Sequence, residues 1–392
     1  MKGYRSCLFT VLSLAIVAQL RLAKLDEKVE ETIEENLIDR VSEGDSEKYL
    51  HILNNSDIFK TKYTVTDFVD CGMNGVIVDV GNSNTVAKII LDDSDKYTMC
   101  KDELILKDLE TKKVSYVNTL IEYLESSEEE EDKDKYYYCV LILEKADTDL
   151  SNDDIFSENK TNIDVNIELK KENSKTLFRF FGRVIQSFAE LHFKAKVLHG
   201  DIKPDNIMVN KKEMNNGTID LIPVIIDFGL RLVNTSGNEK KDEQLRYAPD
   251  FRPLEMTGGE KIKPEDEKAF AETWAEKFKN FRYSKDFVED VYALGKTIEV
   301  VIVNNEKYID RTQCEISKLL AISNQMMQPK QQIDSSNPDK PHALRPNMKV
   351  VLRDFISKMN ECSQDKPDIL NQEFLFQANK SLEELDKLFP II

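Results

Sequence analysis

From Tyr63 to Val69 apolar and polar residues alternate, Gly72-Met73-Asn74-Gly75 interrupts, and Val76-Ile77-Val78 resumes the apolar run. That pattern predicts strand, tight turn, strand. Another strand is predicted at Thr85-Val86-Ala87-Lys88-Ile89-Ile90. Ile105, Leu106 and Leu109 then recur at helical spacing, the inward face of a helix. Residues 114–144 hold two strand candidates, the second being the apolar run Tyr136 to Leu143. Between them, the block from Ser126 to Lys133 is too polar to pack and is expected as an exposed loop.

The polar stretch 147–174 reads as an insertion around a short helix, and Leu177 to Phe193 as one long helix. Within that helix His192, Phe178, Phe180 and Phe181 read as core. A strand-like run comes next at Ile222 to Ile226, then a charged insertion with a helix from Glu265 to Lys279, and a closing amphipathic helix at 372–388.

The first 25 residues differ in kind. Lys2 and Arg5 precede an apolar run from Cys7 to Leu20, with small residues at Ala15, Ala18 and Ala23. A run of about fourteen residues, with only Thr10, Ser13 and Gln19 polar, suits a signal-peptide core better than a membrane span. An uncleaved anchor or a buried helix is the alternative. Residues 26–62 are acidic, and Val29, Ile33, Leu37 and Ile38 fit either an amphipathic helix leaning on the strand-rich segment beyond Tyr63 or a solvated stalk.

Composition narrows the partners. The 392 residues carry a net charge of −18, which argues against nucleic acid and favours basic substrates. The six Cys include no CxxC and the four His have no ligand spacing, so no zinc site is expected. With Cys7 removed, the odd count of Cys71, Cys100, Cys139, Cys314 and Cys362 does not resemble a disulfide framework, though one bridge is open to it. Asn-x-Ser/Thr sequons stand at Asn54, Asn159, Asn216, Asn234 and Asn379, in keeping with secretion.

The chemistry concentrates in His199-Gly200-Asp201-Ile202-Lys203-Pro204-Asp205-Asn206, with Asp227-Phe228-Gly229 beyond it. Phosphoryl transfer needs a carboxylate to orient a hydroxyl, a cation near the γ-phosphate and oxygen ligands for Mg²⁺. The order Asp, Lys, Asn, then Asp-Phe-Gly resembles the catalytic loop and metal motif of the eukaryotic protein kinases. Thr85 to Ile90 resembles that family's V-A-I-K strand and Gly72 to Gly75 its Gly-rich loop. Asp290-Val291-Tyr292-Ala293-Leu294-Gly295 and Leu344-Arg345-Pro346 resemble large-lobe motifs, so the likeness spans about residues 63–360.

The resemblance implies an α+β, two-lobed fold: a β-rich small lobe at 63–144 and a helical large lobe at 147–390, with insertions near 125–135, 151–174 and 256–284. It implies ATP and Mg²⁺ as cofactors and a protein substrate, of Ser/Thr type because Lys203 follows Asp201. Gly72, Gly75, Ile77, Val86, Lys88, Leu143, Glu144 and Ala146 would bind nucleotide, and Asn206 and Asp227 the metal. Asp201 would orient the hydroxyl, Lys203 steady the γ-phosphate and Lys88 grip the α/β-phosphates. The acid that pairs with Lys88 is Asp102 or Glu103. Ungapped register favours Asp102; side-chain reach tips the expectation slightly to Glu103. Asp290 would brace the catalytic loop, and Arg345 would meet an acid closing the activation segment, either Asp250 or Glu255.

Two departures matter. Asp70 stands where the first loop Gly belongs, so it either weakens nucleotide binding or points outward. Gly200 replaces the family's Arg, which implies activity without phosphorylation at Thr235 or Ser236. Both departures suit a pseudokinase, a binding module, as the rival reading. A kinase-like small-molecule phosphotransferase is opposed by Arg345-Pro346 and Asp290. Composition and leader are similar to those of secreted rhoptry-type kinases of apicomplexan parasites. With the leader cleaved, no stable membrane anchor is expected.

Overall fold

The computed structural model describes residues 43–72, 75–81, 84–92, 102–128, 136–151, 155–156, 167–214, 219–228, 287–328, 345–363 and 369–388, with positions 29, 32–33, 35–37, 232–233, 251, 331–332 and 342–343. Outside them lie the expected leader, Cys100, the Met73-Asn74 turn and three sequons (Asn159, Asn216, Asn234). So do the helix at 265–279 and both candidate closing acids, Asp250 and Glu255.

The chain forms two compact units. The first is built on a five-stranded antiparallel sheet of β1 (Val65–Gly72), β2 (Gly75–Val80), β3 (Thr85–Asp92), β4 (Leu120–Glu128) and β5 (Tyr136–Glu144), in the order β1-β2-β3-β5-β4. Among the described residues before it come α1 (Glu43–Asn55) and α2 (Asp57–Thr61), and positions 29, 32–33 and 35–37 are helical as well. Strand alternation sorts its side chains onto two faces. Val76, Val78, Val80, Ala87, Ile89, Tyr136, Tyr138, Val140 and Ile142 share one buried cluster with Ile33, Leu37, Ile52, Leu53, Ile58 and Phe59. The segment before Tyr63 is therefore part of this core, and Ile33 and Leu37 are fully buried in it.

The polar block after β4 begins later than its composition suggests. Ser126, Ser127 and Glu128 are still paired, with Tyr138, Tyr137 and Tyr136. Aromatic partners across the ladder extend a strand that polarity alone would end.

The second unit is helical. It contains α3 (Asp102–Thr111) from Asp108 onward, β6 (Thr148–Asp149), α4 (Ile167–Glu190), β7 (Val197–Leu198), β8 (Ile207–Glu213), β9 (Ile219–Ile225) and β10 (Leu232–Val233). After these come α5 (Val288–Asn304), α6 (Cys314–Met326), β11 (Gln331–Gln332), β12 (His342–Ala343), α7 (Met348–Cys362) and α8 (Ile369–Leu388). The long helix starts ten residues before the predicted Leu177, so 167–174 is helix rather than insertion. It closes in a π-helical turn, Leu191–Ala195. The closing helix runs 369–388, against 372–388 from the pattern.

The cysteine expectation is corrected. Cys314 and Cys362 are disulfide-bonded, tying the start of α6 to the end of α7 with Cα atoms 5.6 Å apart. Cys139 in β5 is disulfide-bonded as well, while Cys71 keeps its thiol. An odd count was a poor guide because bridges are set by spatial proximity, and the first pair is 48 residues apart in sequence. Among the described residues no helix is long and apolar enough to cross a membrane.

Candidate active site

In the sheet unit, register decides which residues meet. Ile77 lies opposite Lys88, and Val86 opposite Leu143. All four fall on the face away from the Ile33–Leu37 cluster, since their neighbours Val76, Val78, Ala87, Ile89 and Ile142 occupy that cluster. Four residues assigned to the nucleotide thus share one surface. Beside them the β1–β2 hairpin is paired to its end, Gly72 facing Gly75. Gly75 has φ +123°, and an added Cβ would strike the Ile89 carbonyl, so glycine is required there. Asp70, opposite Ile77 in this ladder, is exposed.

Lys88 is 8% exposed and its Nζ is 3.4 Å from Asp102 Oδ2. Asp102 is in the first turn of α3 and 5% exposed. The lean toward Glu103 is overturned: its carboxylate bonds Lys107 one turn on along the helix. Asp102 stands three, four and seven residues before the buried Ile105, Leu106 and Leu109, on the helix's inward face. Glu103 is a hundred degrees further round, where reach does not compensate for direction. At the end of β5, the amides of Glu144 and Lys145 donate to Thr119 O (3.2 Å) and Asn84 O (2.9 Å). Ala146 comes next, at the start of the following stretch of chain.

In the helical unit, Pro204–Asn206 forms a 3₁₀ turn, with Asn206 N–H donating to Lys203 O at 3.1 Å. The turn brings the Asn206 side chain back onto Asp201. Asn206 Nδ2 donates to Asp201 O (2.8 Å) and to Asp201 Oδ2 (2.9 Å). Lys203 Nζ is 3.6 Å from the same Oδ2.

The loop backbone is fixed from below. Asp290, fully buried in α5, accepts from His199 N–H (2.8 Å) and Gly200 N–H (3.0 Å). This is the brace expected of it. His192 Nε2 lies 3.0 Å from Asp290 Oδ2, so a histidine read as core filler also holds the brace. Gly200 has φ +80°, a conformation that disfavours side chains; the absence of Arg answers a backbone need as well.

His199 is the site residue the sequence reading passed over. Asp201 N–H donates to His199 Nδ1 (3.3 Å), which leaves Nε2–H to donate to Ile226 O (2.9 Å). Ile226 N–H in turn donates to Asn206 O at 3.2 Å. The catalytic loop and the strand end before Asp227 are thereby stitched together. Asp227 itself takes φ +60°, the left-handed conformation that Asp tolerates better than most residues. The only hint of His199's part was its place heading the motif.

Helix α4 secures the strand that delivers Asp227. Arg183 donates to Asp220 Oδ2 (2.6 Å) and to Leu221 O (2.7 Å), and Arg179 Nε to Asp220 Oδ1 (3.4 Å). Burial would raise the Asp220 carboxyl, but the Arg183 hydrogen bond and both guanidinium charges outweigh it and hold the group below its ordinary value. Arg345 donates Nε–H to Gln328 O (2.9 Å) and sits 5.0 Å over the Tyr292 ring. The acid predicted for it lies outside the described residues.

A β-sheet region followed by a helical region, with Asp201 and Asn206 bonded in one loop that is tied to the strand end before Asp227, and with Lys88 paired to a helix acid, defines a kinase-like α+β architecture. The family model of the protein kinase domain matches residues 71–271, just over half of the 392-residue chain. The chain belongs to the protein kinase domain family.

Proposed function

We propose that this family member is an active protein Ser/Thr kinase that uses ATP and Mg²⁺ in the secretory pathway or outside the cell. The observation that carries this is the Asp201 carboxylate, held by Asn206 and beside Lys203 in a loop braced by Asp290. Asp201 accepts a hydrogen bond from the substrate hydroxyl and takes up its proton as the oxygen attacks the γ-phosphorus. The bond to the β-phosphate bridging oxygen breaks, and ADP leaves. Lys203 supplies positive charge to the transferring group, and Lys88, oriented by Asp102, grips the α/β-phosphates. Ala146 is the hinge amide assigned to adenine, because those of Glu144 and Lys145 are already donated to protein carbonyls.

The donor set fits a hard cation. Both donor bonds of the Asn206 amide go to Asp201, so the residue offers its oxygen, and Asp227 adds a carboxylate. Mg²⁺ bound there would neutralise β- and γ-oxygen charge.

The disulfides at Cys314–Cys362 and at Cys139 support an oxidising compartment, as do the basic-then-apolar first 25 residues. The net charge of −18 supports basic substrates. With Gly200 in place of Arg, turnover is independent of phosphate on Thr235 or Ser236. Phosphatase treatment checks this: activity stays within a factor of about two, and a tenfold fall, about 1.4 kcal/mol, contradicts it.

A pseudokinase is the second reading, favoured by Asp70, a carboxylate on β1 where the family has the first Gly of its phosphate-covering loop. Purified residues 26–392 assayed with Mg-ATP on a mixed peptide library decide between them. The kinase reading expects Ser/Thr phosphorylation that falls by about 10²–10⁴-fold in Asp201→Asn, the usual share of an acid–base group. Nucleotide binding without transfer in the wild type would establish the pseudokinase.

A further inference from the structure

Of the five sequons, those at Asn54 and Asn379 lie in described structure, and they differ. Asn54 is half-buried near the end of α1, between Leu53 and the buried Ser56. Asn379 is exposed on α8, whose inner face is closed by Phe374, Ala378, Ser381 and Leu385. Three residues before it stands Phe376, 68% exposed and the most exposed large apolar side chain among the described residues. Helical side chains lean toward the N-terminus, so residues three apart touch. Asn379 shows that lean: its Nδ2 donates to Leu375 O at 2.8 Å.

We propose that Asn379 carries an N-linked glycan whose first sugar lies on the Phe376 ring. The apolar face of a hexosamine is a match for an aromatic ring this exposed. In the transfer, Asn379 Nδ2 attacks the anomeric carbon of a polyprenyl-pyrophosphate-linked oligosaccharide. The new bond is N–C, the anomeric C–O bond breaks, the lipid pyrophosphate leaves, and the amide proton goes to a base of the transferase. The modified nitrogen keeps one N–H, enough to retain the bond to Leu375 O. Timing is set by Ser381, the hydroxyl residue of the sequon. It is 4% exposed and donates to Glu190 Oε1 at 2.6 Å, out of a transferase's reach once α8 has docked. The sugar is therefore added before the helix packs.

This inference rests on the secretory part of the proposed function and not on the catalytic part. The test is expression of the full chain, with its own first residues, in a eukaryotic secretory host. Glycan is released by peptide N-glycosidase in heavy-oxygen water, and the peptide containing residue 379 is read by mass spectrometry. The expected result is conversion of Asn379 to labelled Asp, absent in Asn379→Gln, with kinase turnover unchanged in that variant. Deglycosylation is expected to lower the melting temperature by about 1–2 °C, and by none in Phe376→Ala. Secreted chain with the Cys314–Cys362 bond formed but Asn379 unmodified overturns the proposal. Chain that stays reduced in the cytosol overturns the compartment reading and this one with it. An occupied Asn379 with the same shift in both backgrounds overturns the seat on Phe376.

Discussion

One helical position separates Asp102 from Glu103, and that position decides which carboxylate Lys88 meets. The shorter side chain wins because it stands on the inward face with Ile105 and Leu109, while the longer one spends its charge on Lys107. Removing the buried partner of Lys88 should cost far more than removing the half-buried partner of the exposed Lys107. Asp102→Ala is expected to lower kcat/KM for ATP by about 10–100-fold, some 1.4–2.8 kcal/mol of transition-state stabilisation. Glu103→Ala should change it by less than about twofold, as a surface pair does. Steady-state kinetics on the two variants check this, and equal losses would contradict the assignment. The candidate residues Asp201, Asn206 and Asp227 stood out in the sequence because the chemistry proposed for them fixes their order along the chain. Asp102 was legible only as half of an ambiguity: a one-residue choice on a helix is a question of direction, and two adjacent acids look alike as letters. His199 was missed because its work, passing hydrogen bonds between two backbones, leaves no pattern of its own.

At the scale of elements, α4 does more than lead into the catalytic loop. Its Arg179 and Arg183 hold Asp220 in β9, and its Glu190 accepts from Ser115 N–H (2.7 Å) and Ser381 Oγ–H (2.6 Å). The helix was drawn ten residues short because its first two turns bury little. Lys171–Glu168 and Lys175–Glu172 pairs line an outer surface there, and a polar face all round conceals helical period. The Asp220 contacts carry a pH signature. Its carboxyl lies below the ordinary value when folded, so the stabilisation is complete above the unfolded value of about 3.9 and is lost as pH falls through the lower folded one. Asp220→Asn, which leaves two guanidinium groups buried beside a neutral amide, is expected to cost about 3–5 kcal/mol at pH 7. The gap to wild type should narrow below about pH 4. Urea unfolding at the two pH values measures it, and a constant gap would refute the ionic account.

For the molecule as a whole, the α+β division was readable from motif order, and the sheet and helical units agree with it. What composition could not reveal was that the acidic stretch before Tyr63 carries core residues. Val29, Ile33 and Leu37 are few among many charges, and a stalk and a helix share that spacing until something apolar is found beneath them. That something is the inner face of β2, β3 and β5. Ile33→Ala is therefore expected to destabilise the protein by about 2–5 kcal/mol, with Lys88 still paired in what remains folded. Thermal unfolding monitors the loss, and a change within about 0.5 kcal/mol would place Ile33 on a surface.

The same arrangement sets an order of events during synthesis. Residues 29–59 leave the ribosome before any strand of the sheet, yet the cluster that covers them is completed only by Tyr136, Tyr138, Val140 and Ile142. At about 5–20 residues per second, roughly 4–17 s of elongation separate Phe59 from Ile142. Through that interval an apolar helical stripe waits with no surface to bury against. The nascent chain therefore carries a sticky segment at 29–59 until the sheet is made, and a binder of exposed apolar helices is a natural companion for those seconds.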